Sequence, residues 1–231
     1  MSELISIVLP VYNEAERVTD IVASYLTALE SIPESCEIIL ALNGCWDNSR
    51  EVCDQLASRY PSVRVAETKS AGWGRAVRLG LQEARGDLIC YTNLSRTTAA
   101  DLLALLTYAI AHPTVAVKAN RKIRESWRRR LGSFLYNLEC RLLFGITAKD
   151  VNGTPKVFPR TFEKLLDLTR DDDLIDAEFA LVCRREGYPM EEVPVFSYRR
   201  HGGRSTTNYH SAWKMYAGAF QLWRAQRKGV A

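Results

Sequence analysis

LISIVLPVYNE, residues 4–14, is the most informative stretch of the sequence. Its first six residues are aliphatic apart from one serine, and Pro10 ends the run, which is typical of a strand buried on both faces. Apolar residues then recur at helical spacing through 18–29. Further strands, separated by helices, are predicted at 36–42, 63–66 and 88–91. We therefore predict an α/β fold with an open, mostly parallel sheet and helices on both faces.

The second half of the sequence is less regular. We predict one domain over residues 1–231, with halves at 1–112 and 113–206 and an amphipathic helix in 207–231. Within the second half, strands are expected at 114–119 and 193–198, and a loop that leads into a strand is expected at 150–158. Helices are expected at 101–111, 134–144, 162–168 and 178–185.

Composition excludes several classes of protein. The chain has 231 residues, 47% of them hydrophobic, with 31 basic and 27 acidic side chains, so it can bury a core and is not a disordered tail. No apolar run approaches the ~18 residues needed to cross a bilayer. The first ten residues lack a signal-peptide pattern, so we expect a cytoplasmic protein. Six scattered cysteines and three scattered histidines predict no metal site of their own.

Ligands of open parallel sheets bind beyond the carboxyl ends of the strands. The segments that follow those ends here are 10–14, 43–49, 69–74 and 92–97. These four segments are therefore the predicted site.

Several motifs, taken in order, resemble those of family 2 glycosyltransferases, which have the GT-A fold. In the first half they are SIVLPVYNE at 6–14, AGWGRA at 71–76 and Gly86-Asp87. The later motifs follow the order seen in polyprenyl-phosphate glycosyltransferases of the dolichol-phosphate mannose synthase type. They are NR at 120–121, RLGS at 130–133, DVNG at 150–153, KVF at 156–158, DAE at 176–178, EVP at 192–194 and RHGGRS at 200–205. The resemblance covers residues 4–206.

The resemblance implies an inverting enzyme that moves a sugar from a nucleotide diphosphate to a lipid-linked phosphate. It assigns residues 1–112 to the nucleotide sugar and 113–206 to the acceptor. Asn43 would lie where an aspartate usually contacts the base, and the glycines of 69–74 would let the backbone approach the ligand. The residues it assigns to the donor are Pro10, Tyr12, Glu14, Asn43, Lys69, Gly72, Asn93 and Ser95.

The sequence departs from the family at the metal motif. Where Asp-x-Asp is expected, the chain has Asn93-Leu94-Ser95, and neither Asn nor Ser supplies the charge that holds Mg²⁺ or Mn²⁺. We therefore predict no metal ligands. Either arginines and lysines neutralise the diphosphate, or catalysis has been lost and the chain binds nucleotide or a partner protein. We favour the first; the candidate cations are Lys69, Arg121, Arg200 and Arg204.

The acceptor decides which further residues are needed. A phosphate acceptor is largely deprotonated at neutral pH and needs no base, only cations and alignment. Its candidate partners are Arg121, Arg130, Ser133, Arg200 and Ser205, with Arg200 also counted as catalytic. A soluble hydroxyl acceptor would need a base, for which Asp176 is the first candidate and Glu178 the second.

A membrane surface is the predicted partner of residues 118–146. The run 118–130 is strongly basic, and an apolar helical stripe follows it, which is typical of a pair of interfacial helices. We expect peripheral attachment at the inner face of the membrane. The alternative is that the stripe packs on the sheet. No nucleic-acid partner is expected, because no base-stacking motif accompanies the basic run.

Overall fold

The computed structural model describes residues 4–122, 127–196 and 209–227. The strands are β1 (Leu4–Val11), β2 (Ser35–Asn43), β3 (Val63–Thr68), β4 (Leu88–Tyr91), β5 (Ala116–Arg121), β6 (Lys156–Pro159) and β7 (Met190–Val195). The helices are α1 (Val18–Leu29), α2 (Ser49–Arg59), α3 (Trp73–Glu83), α4 (Ala99–Ala111), α5 (Trp127–Phe144), α6 (Ile175–Arg185) and α7 (Tyr209–Arg227).

All the strands belong to one seven-stranded sheet with the order β3-β2-β1-β4-β6-β5-β7. β1 to β4 are parallel, and β6 runs antiparallel to both of its neighbours, β4 and β5. β7 pairs in parallel with β5. The predicted α/β fold with a mostly parallel sheet is therefore confirmed.

β1 shows why the sheet is covered on both faces. Ile5, Ile7 and Leu9 belong to the core that contains α1 and α4, whereas Val8 packs with α3 and α6 on the other face. Side chains alternate between the faces of a strand, so a continuous apolar strand is stable only where helices cover both of them.

A third apolar cluster joins α5, α6 and α7. Tyr136 and Cys140 of α5 are buried there, with Ala219 of α7, and the Tyr216 hydroxyl donates to the Gly132 carbonyl at 2.6 Å. The C-terminal helix therefore covers part of the core with one face. Within the described ranges, none of the helices has the length and apolar content that a membrane span requires.

Two predictions about the second half need correction. The basic run 118–130 is not one helical surface, because its first four residues complete β5 and the next helix starts at Trp127. The helix predicted at 162–168 is a single 3₁₀ turn, Glu163–Leu165. Three apolar residues of that segment, Phe162, Leu165 and Leu168, are buried by packing under the sheet, which gave the helical spacing without a helix.

Candidate active site

The two halves of the sheet present their loops at one edge. The ends of the parallel strands β1 to β4 define this edge. Because β6 is antiparallel to β4, its first residue, Lys156, pairs with Tyr91 at the end of β4. β5 and β7 also finish there, with Arg121 paired to Val195. The described donor and acceptor segments therefore lie at one end of the sheet, which we call the cleft.

The Asn43 side chain joins the predicted donor loops by hydrogen bonds. Its Nδ2 donates to the Val11 carbonyl at 2.8 Å, and its Oδ1 accepts from the Gly72 amide at 3.1 Å. The side chain is buried. Asn43 thus ties the ends of β1 and β2 to the loop before α3, and a contact between its amide and a nucleobase stays a prediction.

A second set of bonds joins the loop after β1 to the loop after β2. Asn13, at φ +53°, accepts at Oδ1 from the Trp46 amide at 2.9 Å. The Glu14 amide donates to Ser49 Oγ at 2.9 Å, and the Ala15 amide to Asp47 Oδ2 at 3.2 Å. Short polar side chains here satisfy backbone groups that no strand or helix partner reaches.

The glycines of the 69–74 loop allow a close approach within the protein, and their approach to a ligand stays a prediction. A Cβ on Gly72 would lie 2.6 Å from the Asp171 carbonyl oxygen, and one on Gly74 would lie 2.2 Å from that of Arg170. The close approach that requires glycine is therefore made by residues 170–172 of the chain itself. The Asp171 carboxylate adds bonds to Arg75 at 2.7 Å and Arg78 at 2.5 Å. These contacts lock α3 to the segment that leads into α6.

The remaining predicted donor residues differ in their availability. Pro10 is buried in β1 beside Ala41. Glu14 pairs with Arg17 at 3.0 Å. Tyr12 is 39% exposed and Lys69 is exposed, so these two side chains are accessible at the cleft edge.

The segment that replaces the acidic motif is a closed polar turn. Asn93 Oδ1 accepts from the amide of Ser95 at 3.1 Å and from its hydroxyl at 2.9 Å. The turn offers neither a carboxylate nor an uncommitted amide oxygen, whereas Mg²⁺ sites rely on carboxylates. Among the residues that the structure describes, no three His, Cys, Asp or Glu side chains are grouped to hold a metal. The residues present therefore do not fit a divalent ion at this position.

Asp176 lies in a buried ion pair at the acceptor side of the cleft. Its Oδ1 accepts from the Tyr91 hydroxyl at 3.0 Å and contacts Lys156 Nζ. Lys156 has no exposed surface, and its ammonium lies 5.2 Å from the centre of the Tyr91 ring and 5.8 Å from that of Phe179. Burial lowers the pKa of Lys156 to about 8, although Asp176 opposes the shift. Asp176, the first candidate base, is thus held by a cation.

A second buried network lies beside the first. Lys118 is the cross-strand neighbour of Lys156, is fully buried and pairs with Glu192 at 3.1 Å. Burial lowers the pKa of Lys118, and this outweighs the opposing effects of Asp150 and Glu192. The prediction that Lys118 faces a membrane is therefore wrong, because its side chain points into the protein.

Arg121 is committed to the same network. Its Nε and Nη2 bind the two oxygens of Asp150 at 2.8 and 2.9 Å, and its amide binds Oδ2 at 3.1 Å. The Arg121 side chain as a whole is 21% exposed. Arg121 is thus a cation at the cleft edge whose direction is fixed by a bidentate carboxylate.

The other predicted acceptor residues are more scattered. Both oxygens of Glu178 accept bonds from the loop before α6, including the Thr169 amide at 3.0 Å and the Arg170 amide at 2.9 Å, so Glu178 holds a loop. Arg130 is exposed and Ser133 half-buried near the start of α5. The predictions for Arg200, Arg204 and Ser205 lie outside the described residues.

Sequence reasoning missed the residues that form the buried networks. Lys156 and Glu192 belong to the motifs KVF (156–158) and EVP (192–194), but the sequence assigned neither residue a role. The signal that pairs Lys156 with Lys118 is the antiparallel register of β5 and β6, which no local pattern specifies.

The sequence is similar to a known protein family and to several known proteins. The model of the family described as "Glycosyl transferase family 2" matches residues 6–166. A glycosyltransferase (AglD) of Haloferax volcanii is 29% identical over 202 residues, covering 83% of this chain and 32% of the relative. A dolichyl-phosphate beta-glucosyltransferase (ALG5C) of Trichomonas vaginalis is 33% identical, covering 81% and 62%. An undecaprenyl-phosphate 4-deoxy-4-formamido-L-arabinose transferase of Pseudomonas fluorescens is 27% identical, covering 68% and 47%. The chain thus spans less than two thirds of the length of each relative.

Solved structures share the fold. Glucosyl-3-phosphoglycerate synthase of Mycobacterium tuberculosis, in complex with Mn²⁺, UDP-glucose and glycerol 3-phosphate, superposes with a TM-score of 0.72 at 15% identity, covering 99% of this chain and 81% of that one. A mannosyltransferase of Pyrobaculum calidifontis in complex with GDP-mannose and Mn²⁺ has a TM-score of 0.62 at 17% identity, covering 98% and 64%. These likenesses confirm the GT-A architecture.

Proposed function

Because the chain belongs to glycosyl transferase family 2, we propose that it moves a sugar from a nucleoside diphosphate to a polyprenyl phosphate, with inversion at the anomeric carbon. Relatives named for dolichyl-phosphate and undecaprenyl-phosphate transfer support this acceptor class. The observation that carries the proposal is an exposed apolar helix face, described below, that starts six residues beyond the cleft end of β5.

The chemistry of a phosphate acceptor agrees with the state of Asp176. A phosphate monoester has a second pKa of ~6 and is a competent nucleophile at neutral pH without a base. Its oxygen attacks the anomeric carbon as the bond to the diphosphate breaks, and the nucleoside diphosphate leaves. The site must then supply alignment and positive charge. Because Asp176 is already paired with Lys156, we propose that the pair forms the floor of the cleft and that Asp176 does not remove a proton.

We further propose that cationic side chains stabilise the departing diphosphate without a tightly bound metal ion. Lys69 is exposed just beyond the end of β3, on the donor side, and Arg121 faces the cleft edge from β5. Lysine and arginine both bind phosphate oxygens, arginine in bidentate fashion. The closed Asn93–Ser95 turn supports this arrangement because it lacks metal-binding carboxylates.

Asn93→Asp should create a response to metal. The new carboxylate places a negative charge where the family has one, so we expect Mn²⁺ to raise the turnover of the variant several-fold and to leave the natural protein unchanged. Asn93→Leu, which has a similar volume and no charge, is the matched control and should not respond. Initial rates over a Mn²⁺ titration measure this, and identical profiles for all three proteins would contradict the assignment of Asn93 to the vacated ligand position.

The exposed face of α5 is suited to a membrane surface. We define the α5 stripe as its exposed apolar side chains, which are between 38% and 76% exposed: Trp127, Leu131, Phe134, Leu135, Leu138 and Leu142. They repeat every three or four residues over about 22 Å of helix, while the opposite face packs inward. An apolar patch of this extent marks an interaction site. Exposed Arg130 lies in the first turn of α5, which favours anionic lipid headgroups. We therefore propose peripheral attachment to a membrane through α5.

Leu131→Glu/Leu138→Glu should weaken binding to vesicles by at least tenfold. Each leucine buried in lipid contributes about 1.5 kcal/mol or more, and 1.4 kcal/mol corresponds to tenfold in affinity. The control is Gln55→Glu/Ser58→Glu on the exposed face of α2, which adds the same two negative charges without removing apolar area. Sedimentation with vesicles that contain anionic lipid measures both. Equal losses in the two variants would mean that charge alone drives binding.

An acceptor panel tests the proposed reaction. The purified chain would be incubated with radiolabelled UDP- and GDP-sugars and either a polyprenyl phosphate or soluble sugar acceptors. We expect label to enter the organic phase only with the polyprenyl phosphate. Transfer to the soluble hydroxyl acceptors alone would replace the proposal with polysaccharide or natural-product synthesis. No transfer from any donor would indicate a catalytically silent homologue that binds nucleotide or protein.

A further inference from the structure

Trp46, in the loop between β2 and α2, is the most exposed large apolar side chain in the part of the chain that the structure describes, with 81% of its surface accessible. An exposed indole leaves a large apolar area in water. Asp47 and Asn48 follow it in the loop, and with 81% of the side chain exposed, local apolar packing does not account for a tryptophan there.

The backbone beneath Trp46 is firmly held. Its amide donates to Asn13 Oδ1 at 2.9 Å. Two residues earlier, Gly44 has φ +63°, and a Cβ there would lie 2.7 Å from the Ala71 nitrogen. The loop after β2 is thus held in place by contacts with the loops after β1 and β3. A rigid backbone that presents an aromatic ring to solvent is pre-organised for stacking.

The surroundings of Trp46 indicate the chemistry of its ligand. Tyr12, 39% exposed, is next to Asn13, whose side chain binds Trp46. Exposed Lys69 follows β3, the neighbour of β2 in the sheet. Two accessible aromatic rings and a cation on three interlocked loops suit a ligand that combines a flat ring with a diphosphate. A nucleoside diphosphate has both parts.

We propose that Trp46 stacks on the nucleobase of the donor and sets the affinity of the enzyme for it. The inference rests on the proposed function, since it names the contact that holds the donor of that reaction. Stacking is tolerant of base identity because every base has an aromatic face, so Trp46 contributes affinity for a base as such, while phosphate binding is left to the cations.

Titration calorimetry with UDP, GDP and inorganic pyrophosphate tests the contact. Loss of a base–aromatic stack costs about tenfold or more in affinity. We expect Trp46→Ala to raise the Kd of the better-bound nucleotide by that factor and Trp46→Phe to raise it less. The Kd of pyrophosphate, which has no base, should not change. The natural protein should also show quenching of tryptophan fluorescence by nucleotide, and Trp46→Phe should lose most of it.

The other possible outcomes of the titration can be told apart. An unchanged nucleotide Kd in Trp46→Ala would overturn the inference and leave the proposed function intact, and Trp46 would then be sought in a protein interface. Equal weakening of nucleotide and pyrophosphate would also overturn it, because Trp46 would be supporting the loop. If the natural protein bound neither nucleotide, the inference and the proposed function would fail together.

Discussion

Lys156→Met is expected to lower the free energy of unfolding by about 3–5 kcal/mol, the usual cost of removing one partner from a buried ion pair. Methionine fills a similar volume, so little of the loss comes from a cavity. Among the described residues, it leaves the buried Asp176 carboxylate with the Tyr91 hydroxyl as its only donor. Urea denaturation of the natural protein and the variant measures the difference.

The double variant Lys156→Met/Asp176→Asn separates charge from packing. The asparagine oxygen can still accept from Tyr91, and no buried charge remains, so at least half of the lost stability should return. Replacing a whole buried pair by neutral groups is often close to neutral. A single variant within 1 kcal/mol of the natural protein would contradict the burial of this pair.

Gly74→Ala is expected to lower transfer by about a hundredfold, the usual cost of displacing reacting groups by ~1 Å. The added methyl group would lie 2.2 Å from the Arg170 carbonyl and 2.7 Å from that of Asp172. Both atoms are backbone, so no side chain can rotate away. The methyl group would force α3 and residues 170–172 apart, and this segment leads into the helix that carries Asp176. Steady-state kinetics with donor and lipid acceptor measure the loss.

Gly132→Ala is the control for that experiment. Gly132 lies inside α5, and beyond its own helix no described residue comes within 4 Å of its Cβ position. Alanine is favoured over glycine in a helix by about 1 kcal/mol, so this variant should be as active as the natural protein and slightly more stable. Similar activity in the Gly74 and Gly132 variants would mean that the contact between α3 and residues 170–172 does not matter for transfer.

The first half of the fold follows from local sequence patterns. The run 4–9 is aliphatic because β1 is covered on both faces, and helical spacing marks α1. The second half does not follow in this way. β6 is four residues long and antiparallel to both neighbours, and its position depends on pairing across the sheet. The same pairing buries Lys118, which sequence alone assigns to the surface.

The sequence predicts where the candidate site lies better than it predicts the contacts of the residues in that site. The edge where strands end is a property of parallel sheets, and the missing carboxylates at Asn93 and Ser95 can be read directly. Whether a side chain faces the ligand or the rest of the protein cannot be read from the sequence. Asn43, Gly72 and Glu178 are bonded or packed to other parts of the chain, and these partners lie at least 8 residues away in sequence.

Transfer to a polyprenyl phosphate, with cations in place of a divalent metal, can be tested by comparing rates with and without metal. Initial rates of lipid-linked sugar formation would be measured with the donor identified in the acceptor panel, in the presence of excess EDTA and again with added Mn²⁺. We expect lipid-linked product at the same rate in both conditions. Product that forms only with Mn²⁺ would contradict it.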